Sequence, residues 1–263
     1  MPFLRIDDLD LYYEETGPWD GKPLVLMHGG SGSLDDAEAG WAALIPEFAK
    51  QYRVLALEHR GHGRTRNPAG RLGYDLLAAD LRAFITRLDL GPVHFAGVSD
   101  GGITALHLAL ENPELLRSMV CVGTSFRVDE AIRTFLRNAE PEAIERQFPE
   151  WASSLADRHD SHNEPGYWRE LMRQIVAMAS TTPAFIEDDL ARIAVPALFV
   201  AGEADPFANT DQMIAFKRHV PSAEWLIINN AWHTVQHTHA DVVGPRILDF
   251  LARHDNPGAT HSG

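Results

Sequence analysis

The chain has 263 residues, 23 Lys and Arg against 37 Asp and Glu for a formal charge of −14, and 45% apolar residues. That apolar share excludes disorder over most of the length, and one α/β core carrying an insertion accommodates a chain of this size. The acidic balance, with no Lys/Arg run, excludes the clustered cations that nucleic acids and anionic membranes require, so a small neutral or cationic ligand is the expected partner.

The start, Met1 to Asp8, carries acids where a secretory leader has basic residues, and no run approaches the roughly 20 apolar residues of a membrane span. The lone cysteine, Cys121, lies in the apolar run 118–122, cannot form an intramolecular disulfide and reads as a small buried hydrophobe. A cytoplasmic protein, monomer or homodimer, is expected.

Residues 3–6 and 10–15 form an opening antiparallel pair. Short apolar runs at 24–27, 53–57, 93–96, 119–122, 197–201 and 225–228 then alternate with helical patterns, the sequence form of a mostly parallel sheet flanked by helices. Leu77, Leu81, Phe84 and Leu88 recur at helical spacing, as do Val243, Ile247 and Phe250, while Gly102 to Glu111 makes a helix that stops before Pro113. The alternation breaks at 125–182, where Phe126, Phe135, Phe148, Trp151, Tyr167 and Trp168 stand among charges without a β run. Simple packing accounts for any one of them; together they are expected to enclose a pocket under a helical cap. The expected division is core 1–124, cap 125–182, core 183–253 and a flexible tail 254–263.

Val93 to Ala96 runs into Gly97-Val98-Ser99-Asp100-Gly101-Gly102 and then a helix. A serine on so sharp a strand-to-helix turn needs small neighbours, and the helix N-terminus favours negative charge there. Upstream, the strand 24–27 opens into His28-Gly29-Gly30-Ser31-Gly32, a loop whose Gly30 N–H, with that of Asp100, can face a developing oxyanion. The loop lacks the G-x-x-x-x-G-K-[ST] and G-x-G-x-x-G patterns of phosphate binders.

With Arg60-Gly61-His62-Gly63 between them, these motifs resemble the α/β-hydrolase superfamily over about residues 3–253, and Ser99 to Leu106 resembles the elbow of the biphenyl hydrolase-like (valacyclovirase-like) esterases. One departure is Glu58-His59-Arg60, where the family more often has Asp two residues before the Arg. The resemblance implies an α/β-hydrolase fold with a helical cap and a triad in the order Ser, acid, His. Ser99 is then the nucleophile, Asp205 in Gly202-Glu203-Ala204-Asp205 the acid in preference to Glu203 or Asp211, and His233 in Asn230-Ala231-Trp232-His233 the base. His237 and His239 read as ordinary histidines, not a metal set with His233, and His28 and His62 as braces for the loops. Substrate contacts are expected from Ser31, Phe126, Trp151, Trp168 and Trp232. Hydrolysis of small carboxylic esters through an acyl-enzyme, with no cofactor, is the expected activity. Carbon–carbon bond hydrolysis of ring-cleavage products, cofactor-free perhydrolysis and a ligand receptor on the same fold are the alternatives. Asp100 either compensates the helix dipole or attracts an ammonium group on the substrate.

Overall fold

The computed structural model describes residues 3–255. Eight strands form one sheet: β1 (Phe3–Ile6), β2 (Leu9–Thr16), β3 (Pro23–Met27), β4 (Arg53–Leu57), β5 (Val93–Val98), β6 (Leu116–Val122), β7 (Ala197–Gly202) and β8 (Glu224–Ile228). Their order is β1-β2-β4-β3-β5-β6-β7-β8, antiparallel at β1–β2 and β2–β4 and parallel throughout the rest. This is the mostly parallel sheet, opened by an antiparallel pair, that the sequence leads one to expect.

The helices are α1 (Ile45–Phe48), α2 (Tyr74–Arg87), α3 (Asp100–Glu111), α4 (Glu130–Leu136), α5 (Pro141–Gln147), α6 (Pro149–His159), α7 (Tyr167–Ala179), α8 (Glu187–Ala191), α9 (Thr210–His219), α10 (Val235–Thr238) and α11 (Ala240–Arg253). Successive strand residues point to opposite faces, so β3 to β7 supply two apolar layers at once. On one face Val25, Leu55, Phe95, Met119 and Phe199 meet Phe84 of α2, Leu106 of α3 and Phe216 of α9. On the other, Leu24, Val54, Val120 and Leu198 meet Phe48 of α1 and Val243, Ile247 and Phe250 of α11. Cys121 lies in the first layer, where burial pushes its thiol up to about 12.

Of the five α-helices between β6 and β7, α4 to α7 share a third apolar cluster with Tyr74, Leu77 and Ile103. The start of the expected flexible tail is held: His254 caps α11, and Asp255 Oδ1 lies 3.0 Å from His94 Nε2 at the base of β5. The rest of that tail, 256–263, lies outside the described residues. Among the described residues no helix is long and apolar enough to cross a membrane.

Candidate active site

Parallel strands present their carboxyl ends at one edge, and the loops that leave β3, β5, β6, β7 and β8 meet there. Ser99 follows β5 with φ +51°, a left-handed conformation costly for a side chain, and α3 begins immediately after it. The neighbouring glycines are required by space. A Cβ at Gly97 would stand 2.2 Å from the Gly101 carbonyl carbon, and one at Gly101 would stand 2.9 Å from the His28 and Met27 carbonyl oxygens.

His233 donates from Nδ1 to Asp205 Oδ2 at 2.8 Å. Asp205 is buried, and its Oδ1 accepts from the Phe207 and Ala208 amides at 2.8 and 3.2 Å. Burial pushes the carboxyl up, but the His233 ring and these two amides outweigh it and the net direction is down. The ionised form therefore orients the imidazole. Glu203 serves elsewhere, accepting from the Asn230 amide at 3.0 Å and fixing the turn before His233, while Asp211 lies in the first turn of α9. Gly123 after β6, which the sequence motifs do not single out, makes room for the pair: at φ +60° its added Cβ would meet His233 Nδ1 at 2.7 Å.

The loop after β3 rests on a buried cluster of histidines. His28 Nε2 accepts from the His59 amide at 3.2 Å, which leaves Nδ1 as the donor to the Gly29 carbonyl at 2.7 Å. That carbonyl shares a peptide plane with the Gly30 N–H, so the ring that holds one directs the other. Burial and neighbouring imidazoles keep His28 and His62 well below the ordinary histidine range, and burial brings His59 and His159 down to about 4. Glu58, the departure noted above, closes the next turn by accepting from the Arg64 amide at 2.6 Å. Among the described residues neither the Gly30 nor the Asp100 backbone N–H has a protein acceptor.

The Asp100 side chain turns into the same space. Its Oδ1 accepts from Tyr74 Oη at 2.7 Å, and a Cβ at Gly30 would stand 2.5 Å from its Oδ2. Burial raises this carboxyl; the Tyr74 hydroxyl and the His233 ring pull against it without cancelling the rise. A cavity of about 730 Å³ opens above these groups, bounded by Ser99, His233, Gly30 and Asp100 and roofed by the insertion. That volume suits a small-molecule ligand.

A family model described as the alpha/beta hydrolase fold matches residues 22–158, just over half of the chain. The chain belongs to the α/β-hydrolase fold family. A non-heme chloroperoxidase of Streptomyces lividans is 28% identical, covering 93% of this chain and 97% of its own. The 3-oxoadipate enol-lactonase 2 of Acinetobacter baylyi is 28% identical over 77% of this chain and 79% of its own. The crystal structure of the enol-lactonase from Burkholderia xenovorans matches with a TM-score of 0.75 at 21% identity, covering 95% of this chain and all (100%) of that one. By its family and by relatives such as the lactonase, the protein is a hydrolase.

Two aromatics expected at the substrate of this α/β-hydrolase are elsewhere. Phe126 is fully buried beneath the sheet, its ring 5.2 Å from that of Phe216 and its amide donating to Gln212 Oε1, so it packs the core. Trp168 faces inward among the insertion helices with Ile144 and Leu155. Ser31, Trp151 and Trp232 do line the cavity, together with Phe135 and Phe148 of the insertion and Phe207 from the Asp205 loop. Tyr74, the partner of Asp100, has no motif around it and would have been found only by its place at the start of α2.

Proposed function

We propose that the protein cleaves carboxylic esters of small molecules with Ser99 as nucleophile, His233 as base and Asp205 as its orienting acid. The observation that carries this reading is a serine held at φ +51° on the wall of the cavity that His233 also lines, with the imidazole already bonded to a buried carboxylate. With Nδ1–H committed to Asp205, Nε2 is the nitrogen left to accept a proton. Ser99 Oγ has no hydrogen bond of its own among the described residues, and one to His233 Nε2 forms when an ester carbonyl draws the hydroxyl forward. The carbonyl oxygen takes up negative charge between the Gly30 and Asp100 N–H groups, which are worth several kcal/mol, at about 3–4 kcal/mol for one donor. His233 then protonates the leaving alcohol and activates the water that clears the acyl-enzyme.

Treatment with a serine-directed fluorophosphonate should add one adduct mass to the Ser99 peptide, and Ser99→Ala should lower kcat on an activated aryl ester by more than about a thousandfold. A variant that kept more activity than this would remove Ser99 from the chemistry. Full-length likeness to a protein named a non-heme chloroperoxidase favours one second reading, perhydrolysis of a carboxylic acid by the same serine. Halide oxidation in acetate with peroxide, lost in Ser99→Ala, would support it.

A further inference from the structure

The Ser31 carbonyl, next to Gly30, is gripped by a helix of the insertion. Arg158, near the end of α6, donates from Nη1 to the Ser31 carbonyl at 2.9 Å. Its neighbour His159 brings Nε2 to the same oxygen at 3.0 Å. The His159 ring can only donate there, because its Nδ1 is the acceptor for the Gly63 amide at 3.1 Å. A second arm of Arg158 reaches Ser154 Oγ at 3.0 Å and Asp36 Oδ2 at 3.2 Å, so the guanidinium is braced on both sides. His159 is fully buried, and Arg158 lies on the cavity wall. Ser31 itself is held at φ +59°, a conformation that a serine keeps only when its surroundings impose it.

The sequence separations are large: 127 and 128 residues from Ser31 to the two donors, and 96 from Gly63 to His159. These bonds exist only when α6 is seated over the sheet. Two further contacts hold the chain just beyond it to the same loop, Asn163 Nδ2 to the Gly63 carbonyl at 3.3 Å and Tyr167 Oη, at the start of α7, to the Gly61 carbonyl at 3.0 Å. The Ser31 carbonyl shares a peptide plane with the Gly32 N–H, which donates to the Gly29 carbonyl at 3.2 Å, so loss of its two donors would loosen one hold on the Gly29–Gly30 segment. The direction of the Gly30 N–H depends on that segment.

We propose that Arg158 and His159 are positioning residues that couple the insertion to the oxyanion loop, so that the Gly30 N–H is aligned with Ser99 only while α6 is seated. This rests on the reading of Gly30 as an oxyanion donor. The insertion then acts on kcat as well as on substrate size: an ester too small to touch the roof still needs the roof in place.

The test uses phenyl acetate, whose acyl group is a single methyl, and a trifluoromethyl ketone, whose hemiketal oxyanion reports on the hole. Arg158→Met and His159→Phe should each lower kcat on phenyl acetate by about 10- to 100-fold with KM within about twofold, and weaken the ketone in proportion. His159→Gln, whose amide can again donate to the Ser31 carbonyl, should recover most of the loss. Leu155→Ala removes buried packing behind the same helix but leaves both donors on the Ser31 carbonyl, so the helix stays seated, and it should lower Tm while leaving kcat within about twofold. Wild-type kcat in folded Arg158→Met, or an equal loss in Leu155→Ala, would overturn the proposal; if His159→Phe does not fold, Arg158→Met decides. Fluorophosphonate labelling of Ser99 in the wild type tests the underlying ester hydrolase reading separately, so a failure of one is not mistaken for a failure of the other.

Discussion

Asp100 concentrates two opposed demands in one side chain. As the first residue of α3 it gains from the helix dipole by about 0.3–1 kcal/mol, yet it faces the cavity beside Gly30, where a second negative charge is to develop during ester cleavage. Burial has already raised its pKa, and the Tyr74 hydroxyl occupies one oxygen. An ammonium group on the substrate would offset the repulsion. On the ester hydrolase reading, an aminoacyl ester should therefore exceed its desamino analogue in kcat/KM by about 10- to 100-fold, the worth of one charge-assisted hydrogen bond, and Asp100→Asn should abolish the preference. Equal kcat/KM for the two esters in the wild type would leave Asp100 as a dipole partner only. Position and polarity of this residue were legible from the motif; its hydroxyl partner was not, because Tyr74 is 26 residues away and nothing in the intervening sequence marks the meeting.

The insertion helices show where pattern reading stops. Trp168 belongs to an apolar stripe on α7 that includes Leu171, Met172 and Ile175, and a stripe says that one face is buried without saying against what. Met172 and Ile175 reach the cavity, whereas Trp168, at the start of the helix, does not. Trp151 on α6 does, and with Phe148 it forms one apolar wall. Trp151→Ala should shift the preference on a series of phenyl esters toward longer acyl chains, by about fivefold or more between acetate and hexanoate, since the lost ring leaves room for several methylenes. An unchanged preference with a lowered Tm would make Trp151 a packing residue. The strands, by contrast, were readable to within a residue at β3 and β7, which are buried on both faces and appear as apolar runs between turn residues, whereas β5 runs two residues past the expected 96 and β6 starts three residues before the expected 119, where Arg117 and Ser118 interrupt the run.

Across the whole molecule, acid sets buried histidines against buried carboxylates. His28, His59, His62 and His159 are neutral and buried around the oxyanion loop, and an unfolded chain would bind protons at all four from about pH 6.5 downward. A histidine whose folded pKa is depressed contributes its full stability above the unfolded value and loses it as pH falls toward the folded one. Between pH 6.5 and about 4 each ring therefore removes up to about 1.4 kcal/mol per pH unit. Glu58, Asp80 and Asp100, all raised by burial, act in the opposite direction, which makes a difference measurement the cleaner one. Urea unfolding of wild type and His62→Asn at pH 7 and pH 5 should show a shallower fall in the variant, by about 1.4 kcal/mol per pH unit at most. Parallel falls would mean that His62 is protonated equally in both states.

One property of the core remains useful beyond catalysis. Cys121 is the chain's single thiol and lies at 1% exposure in the layer between β6 and α3, which opens only when that helix leaves the parallel sheet. Reaction with a thiol reagent is thus a clock for global opening, free of background from any second cysteine and placed where local fraying of loops or helix ends does not register. The molecule carries its own unfolding probe, one atom wide, without a label having to be engineered into it.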